Sequence, residues 1–475
     1  MNNSSTIISC KAKKVIEQIN VGNKPEGITV NQALKKVYIS NKESNSVSVI
    51  NGCTNVVEHV INNAGIQPVG IAISPDGHRL YVCSYGSDFI NVFSTDNYAL
   101  LASITVGQGQ ISAPSGIIVS PDNKRIYVNL FDENKVAVIN AVTNAVVAYY
   151  STGNRPVGID ISKDGTKIFI ANQNSNSLQV LDAFSGATIT SVRLGPDADP
   201  LGVGGAAAIV LNHANSRAYV TIQDSSTVKV VDLLSYKIIG SIAVGNRPFG
   251  IDITLNDSSL YVSCVNSNQV IHIKTATNEV KEKITTGQKP YCFGKFIMRN
   301  NIETCVINVI PVACNNYILR GEASYNTTPI TAWTWQLGLD KFSYTQNTSA
   351  RFEACSLPVK LVVTDNYGCK DSASLILEGC DSAADKFLFV PTAFTPNNDG
   401  LNDCFKIIAP AQLTEIEIAI YNRWGQRVFF TTNPMLCWDG CFRDEIIPGN
   451  YVCFIRYKPR CKDFKIEKYN ILVIK

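Results

Sequence analysis

The sequence predicts an all-β protein: a seven-bladed β-propeller followed by two small β-sandwich domains. Three observations carry that expectation. A segment of about 43 residues returns through the first 300 residues, and each return holds four short strand-like runs separated by polar turns. Past residue 304 the repeat stops, and apolar residues alternate in longer runs of strand character. Gly, Asn, Ser, Thr and Val are abundant throughout, the composition of a β-rich globular chain.

The 475 residues suggest two to four domains, and 45% hydrophobic against 17% charged residues is enough to build cores. A net charge of +3 is too small to point to nucleic acid. No apolar run approaches the roughly 18 residues of a membrane helix. The N-terminus "MNNSSTIISCKAKK" has neither a basic n-region nor an apolar h-region, so no signal peptide is visible.

The repeat is plain. "KPEGITVNQALKKVYIS" from Lys24 returns as "QPVGIAISPDGHRLYVC", "APSGIIVSPDNKRIYVN", "RPVGIDISKDGTKIFIA" and "RPFGIDITLNDSSLYVS". The aromatic anchors Tyr38, Tyr81, Tyr127, Phe169, Tyr219 and Tyr261 follow at spacings of 43, 46, 42, 50 and 42. Four strands per 43 residues is the period of a propeller blade. The fifth unit has extra residues, read as a longer entry loop, and Ala208 where the others place Gly. The opening "STIISCKAKKVIEQINVG" matches the last two strands of a unit, and "KPYCFGKFIM" (289–298) matches a first strand. Six full units and one shared between the chain ends give seven blades. The count is six if the shared blade, which shows no second strand, does not form. On "P-x-G-I-x-[IV]-[ST]" and "[YF]-[VI]-x-N/S", seen as "YISN" and "FIAN", residues 10–300 resemble the YVTN-type propellers of bacterial and archaeal surface or exported proteins.

Residues 1–300 thus form the first domain. The second, 304–380, alternates through "ITAWTWQLG" and "VKLVVTDNYGC" and resembles a PKD-type immunoglobulin-like sandwich, with "GLD" in place of that family's acidic turn. Trp333 or Trp335 could stack on carbohydrate, but alternation points one of them into a core. The third, 385–475, carries "FTPNNDGLND", "YNRWGQ", "WDG" and "PGNYVCFIRY" in order. The set resembles the gliding-motility-associated C-terminal domain, the type B sorting signal of the Bacteroidetes type IX secretion system. Its matching positions are Phe394, Pro396, Asp399, Gly400, Asp403, Tyr421, Arg423, Trp424, Gly425, Trp438, Asp439, Gly440, Pro448, Gly449 and Tyr451. The resemblance implies export through that machinery, recognised by residues 385–475, to the outer-membrane surface or the exterior. Such a route needs a signal peptide, expected upstream of Met1 or trimmed away.

Fifteen cysteines divide five to a domain, an odd number that leaves at least one thiol per domain free or paired between domains. Their density in small β modules argues for disulfides and an oxidising compartment. Asp399, Asn402 and Asp403 are a weak Ca²⁺ candidate, since the stretch lacks the alternation and terminal Glu of a calcium loop; a turn shaped by Gly400 is the competing reading. No other metal or cofactor is indicated.

Catalysis has little support. His59, His78, His213 and His272 fall in outer strands and exposed turns, and no nucleophile elbow, zinc pair or phosphate loop appears. The expectation is a non-enzymatic binding or adhesion module, with a lactonase- or lyase-type enzyme and a structural surface-layer component as alternatives. The residues before the repeat proline are Lys24, Gln67, Ala113, Arg155, Asp199, Arg247 and Lys289. The four cations among them, Lys24, Arg155, Arg247 and Lys289, would share one rim of the channel and suit an anionic or glycan ligand. Asn and Ser of the loops between second and third strands would reach the same face.

Overall fold

Five inner strands begin where the repeat proline fixes φ for an extended strand, the fifth in order beginning at Ala206, and the aromatic anchor sits on the strand that follows. In the computed structural model this produces six antiparallel four-stranded meanders. Their inner strands are Pro25–Asn31, Pro68–Ile73, Pro114–Val119, Pro156–Ile161, Ala206–Leu211 and Pro248–Ile253. The structure describes all residues except 1–2, 10–11, 109–111, 197–203, 299–301, 314, 326–328, 355, 380–387, 398–401, 409–412, 443–444, 460–463 and 475. The long entry loop expected in the fifth unit, with Asp199, lies outside the described residues.

The repeat residues have separate physical jobs. All six aromatic anchors are buried, from 0 to 3% exposed. The glycine lets neighbouring inner strands meet: a Cβ at Gly70 would stand 1.7 Å from the Ser115 carbonyl oxygen, and one at Gly250 1.7 Å from that of Cys292. Ala208 takes the glycine position as expected, its N–H donating to Thr221 Oγ1 (2.9 Å) as Gly27 donates to Ser40 Oγ (3.0 Å). The basic residue two before the anchor reaches the next blade: Lys36 donates to the Tyr98 hydroxyl (2.6 Å), Arg79 to the Ala141 carbonyl (2.6 Å) and Lys167 to the Tyr236 hydroxyl (3.0 Å).

Both chain ends fill the seventh position. Ile28 N–H donates to Phe293 O and Phe293 N–H to Glu26 O, each at 2.9 Å, so residues 289–298 supply an inner segment beside the first sheet. The hairpin Ser4–Ser9/Lys14–Asn20 supplies outer strands. Ile7 and Ile19 pack on Ile39 and Ile50 of the first sheet, and Ile8 and Val15 on Tyr261 and Val270 of the sixth. Closure removes the open edge a six-sheet array would leave.

The contacts divide the chain into two units, Met1–Asn300 with Tyr367–Cys369, and Asn301–Asn366 with Lys370–Lys475. Within the second, a three-stranded sheet (Ile302–Ala313, Asn316–Tyr325, Asn347–Arg351) and a four-stranded sheet (Lys341–Ser343, Ile330–Leu337, Ser356–Asp365, Lys370–Glu378) enclose Leu319, Trp335, Val359 and Leu361. Trp335 is fully buried and its indole donates to Thr345 O, while Trp333 packs partly buried against the same core. Trp335 faces inward as the alternation predicts, and Trp333, two residues away on the same face of the strand, joins it.

The last five-stranded sheet runs in the order Ala393–Phe394, Lys465–Val473, Gly449–Pro459, Leu413–Tyr421, Arg427–Thr431. All pairs are antiparallel but the first, where Ala393 and Phe394 run parallel to Leu472 and Val473. Ile416, Ile418 and Ile420 lie on its buried face, as their alternation predicts. The opposite layer is irregular chain tied by the bridges Phe389–Ile408 and Phe405–Trp438. Disulfides join Cys53 to Cys369 and Cys404 to Cys437; Cys83, Cys264, Cys292, Cys305 and Cys453 are free among the described residues.

Candidate functional site

At the rim the chain takes an unusual backbone turn. Lys24, Gln67, Ala113, Arg155, Arg247 and Lys289, each just before a repeat proline or its counterpart, have φ of 47 to 55°. Side-chained residues rarely adopt this left-handed conformation, so it must be held. The holding groups come from the preceding loop: the Gln67, Arg155 and Lys289 N–H groups donate to the amide oxygens of Asn45, Asn134 and Asn268, each at 2.8 Å. The Ser44, Ser175 and Ser267 hydroxyls accept from the backbone N–H one residue earlier, each at 2.6 Å. The loops expected at this face do reach it. These acceptors are already used in fixing the turn.

The four rim cations differ. Lys24 is ion-paired to Glu43 at 3.2 Å. Arg155, half-buried, lies 5.1 Å over the Phe131 ring and has no carboxylate partner among the described residues. Arg247 Nε is buried without a hydrogen-bond partner there. Lys289 is exposed, and its backbone, not its ammonium, makes the recorded contact. Around them the sequence analysis missed an aromatic cluster. Tyr85 and Phe131 follow the second strands, with centroids 6.2 Å apart; Phe249 packs on Tyr291 (5.0 Å) and Phe293 (5.7 Å). Lys42 lies 4.6 Å over Tyr85 and is paired to Glu26 at 3.4 Å. The available signal was an aromatic directly after the second strand in two repeats, at positions held by polar or aliphatic residues elsewhere. The arrangement offers flat apolar faces edged by guanidinium groups.

The channel holds a second feature, away from these residues. A cavity of about 380 Å³ is lined by inner-strand residues including Thr29, Asn31, Ile71, Ile159 and Ile251, with Lys295. None of the four rim cations lines it. Lys295 Nζ donates to Asp160 at 2.8 Å, the amine side chain 42% exposed and the carboxylate 7%. Burial pulls the Lys295 ammonium down, but Asp160 and then Asp252 outweigh it and hold it above its ordinary value. Burial pushes the Asp252 carboxyl up, against Lys295 and the N–H groups of Ile297, Phe296 and Ile253. Asp160 and Asp252 occupy one repeat position, carried as aspartate in only two of the six units. No group of three or more metal-ligating side chains is present among the described residues.

In the last module the motif positions split into interior and surface. Phe394, Trp438 and Tyr451 are buried together: Trp438 is 5.6 Å from Phe394 and 4.8 Å from Tyr451, and its indole donates to Cys441 O. Gly440, with φ of 81°, leaves room beside Phe394 and Pro396. Asp439 accepts from Cys441 N–H, and Tyr451 donates to Ile447 O. The "FTPNNDGLND" corner is closed by Thr395 N–H donating to Asn402 O at 3.0 Å. Asn402 has φ of 55°. Asp399 and Gly400 lie outside the described residues, so the weak Ca²⁺ set with Asn402 and Asp403 is described only in part. Asn422 accepts from Trp424 and Gln426 N–H and shapes a tip with Gly425 at φ 75°. Arg423 and Trp424 stand exposed there, Pro448 is exposed before Gly449, and Tyr421 meets Phe454 edge-on at 5.8 Å.

Two solved structures share the fold, and a third is reported beside them. The hydrazine synthase of Kuenenia stuttgartiensis matches at 19% identity and TM-score 0.51, over 57% of this chain and 88% of that one. A functionally unknown protein of Desulfotomaculum acetoxidans matches at 18% and 0.51, over 62% and 96%. Virginiamycin B lyase of Staphylococcus aureus matches at 18% and 0.48, over 58% and 89%. At these identities the likeness is one of fold alone. No curated protein matches the chain. No helix among the described residues is long and apolar enough to cross a membrane. Residues 388–472 match the family described as the CHU_C Type IX secretion signal domain, which implies recognition by the type IX secretion machinery and export to the cell surface or extracellular space.

Proposed function

We propose that the exported propeller is a non-catalytic binding module, built on YVTN-type repeats and followed by a PKD-like spacer. Its rim takes an anionic ring-bearing ligand of the acidic-glycan class. The observation that carries this is Arg155 and Arg247 without carboxylate partners among the described residues, Arg155 over the ring of Phe131 and Arg247 with its Nε buried and unbonded. A guanidinium held half-buried without a counter-charge is costly unless something anionic visits it. The neighbouring aromatic faces suit the apolar face of a sugar ring. Adhesion follows if that ligand belongs to a surface.

The alternative of a lactonase- or lyase-type enzyme has one observation in its favour, the Asp160–Lys295 pair at the channel cavity. An amine already bonded to a buried carboxylate, with its charge reinforced, is a poor base. Nothing comparable favours the surface-layer reading. The test is binding of the full chain to arrayed acidic and neutral glycans. Replacing Arg155 and Arg247 together by Ala should weaken acidic-glycan binding about tenfold or more. Binding unchanged by the double substitution would refute the assignment.

A further inference from the structure

The outward face of the last sheet bears a set of aromatic rings that the secretion reading does not by itself explain. At the hairpin tip Trp424 is 63% exposed, with the Arg423 guanidinium 4.2 Å from its ring centroid. Next on the same hairpin, Phe430 is 49% exposed with Arg427 at 5.0 Å. Strand register then carries the row across the sheet: Phe430 faces Ala419, Ala419 faces Phe454, and Phe454 faces Lys468. Phe454 is 39% exposed, and the Lys468 ammonium lies 5.9 Å from its centroid. The neighbouring row holds an ion pair, Glu417 with Arg456 at 3.1 Å. Arg423, Arg427 and Lys468 have no carboxylate partner among the described residues. The other side of the same strands carries Ile418, Ile420 and Ile455 in the core.

A sheet that faced only water would not need large rings along one row. Each ring here has a cation beside it, Phe454 meeting Tyr421 edge-on as well, which keeps the face soluble until the cation is drawn aside. A partner with carboxylates set around apolar slots would do so, pairing with the cations while the rings desolvate. A bilayer fits less well, because its headgroups would hold the cations at the same depth as the rings they cover.

We propose that this face, from Trp424 through Phe430 and Phe454 to Lys468, is the surface by which a component of the type IX machinery reads the domain, and that its reader is an acidic, apolar-slotted protein surface. The inference rests on the secretion reading of residues 388–472. Within the motif it separates residues that build the domain, such as Trp438 and Tyr451, from those that are read.

The experiment expresses the full chain in a bacterium that uses type IX secretion and measures the fraction outside the cell. Three forms are compared with the unaltered chain: Trp424→Ser, the triple Arg423→Glu/Arg427→Glu/Lys468→Glu, and deletion of residues 388–475. The Trp424 ring is exposed at the tip beside Arg423, so the single variant keeps the fold even if the triple does not. The expected result is retention of the deletion, with external Trp424→Ser and triple variant reduced about tenfold. A retained deletion with Trp424→Ser exported within about twofold of normal overturns the inference and leaves the secretion reading standing. An exported deletion overturns both. Pelleting of the purified chain with anionic phosphatidylglycerol vesicles, lost in the triple variant, would reassign the face to lipid and also overturn it.

Discussion

Cations occur at two places along the propeller channel, and their circumstances are opposite. At the rim Arg155 lies over the Phe131 ring and Arg247 Nε is buried without a hydrogen-bond partner, and neither meets a carboxylate among the described residues. In the channel Lys295 is bound to Asp160, and its ammonium is held further toward the charged form by Asp252. A charge withdrawn from water needs a partner or a second reason to exist. The channel charge has its partner inside the protein, so its role is to hold inner strands together: Asp160 also accepts from Leu211 N–H in the next blade at 2.9 Å. The rim charges have theirs outside. Availability, more than residue type, distinguishes a binding cation from a structural one.

The largest effect that could break this contrast is in the channel. Lys295→Met leaves the buried Asp160 carboxylate without its cation. It should cost about 2–3 kcal/mol, below the figure for a fully buried pair because Lys295 is partly wet. The urea midpoint should fall with unchanged slope, while glycan binding at the rim stays within about twofold. A loss under about 1 kcal/mol would show that the pair is not structural, and its polar groups would then be available for chemistry.

How much of this was legible is uneven, for a physical reason. The blades were legible because period, proline, glycine and aromatic anchor are local signals with local causes: Tyr38 and its five counterparts are buried, and the glycine marks inner-strand contact. The order of motifs in the last module was legible too. Pairing was not. Lys24 and Arg155 look equivalent in the repeat, yet Glu43 neutralises only the first. Asp160 and Lys295 are 135 residues apart and meet only because the ring closes. Trp424 and Trp438 both belong to the sorting motif, yet only the register and bridges of the folded sheet put one at an exposed tip and the other in the core.

A change of pH sharpens the contrast next. Burial pushes the Cys264 thiol up to about 11 in the sixth blade, where it is fully covered. A thiol in the unfolded chain titrates near 8.5, so between about pH 8.5 and 11 the unfolded state releases a proton that the folded state keeps. Stability is intact below that window and falls through it, by about 1.4 kcal/mol per pH unit for one such group. The Cys264→Ser chain should lose part of that slope in urea melts taken at each pH. Rim binding by the still-folded chain should stay flat from pH 8 to 10. Parallel decline of binding and stability would tie the rim to the core of the sixth blade.

The smallest effect tests the distinction within the rim itself. Lys24 has the same backbone conformation and the same place in the repeat as Arg155, with φ of 53° against 55°. It differs in having Glu43 at 3.2 Å, a carboxylate that is 61% exposed. An ion pair this wet contributes little to stability, so Lys24→Ala should shift it by no more than about 0.5 kcal/mol. Because its charge is already met, removing Lys24 should also leave acidic-glycan affinity within about twofold. Glu43→Ala is the complementary change: it releases the Lys24 ammonium beside the rim and should strengthen binding slightly, by about 0.5 kcal/mol or less, more at low salt than at high. Titration of both variants against one acidic glycan at two ionic strengths decides it. If Lys24→Ala weakened binding as much as Arg155→Ala, pairing would not be what separates the two residues, and the rim would act as a diffuse cationic ring.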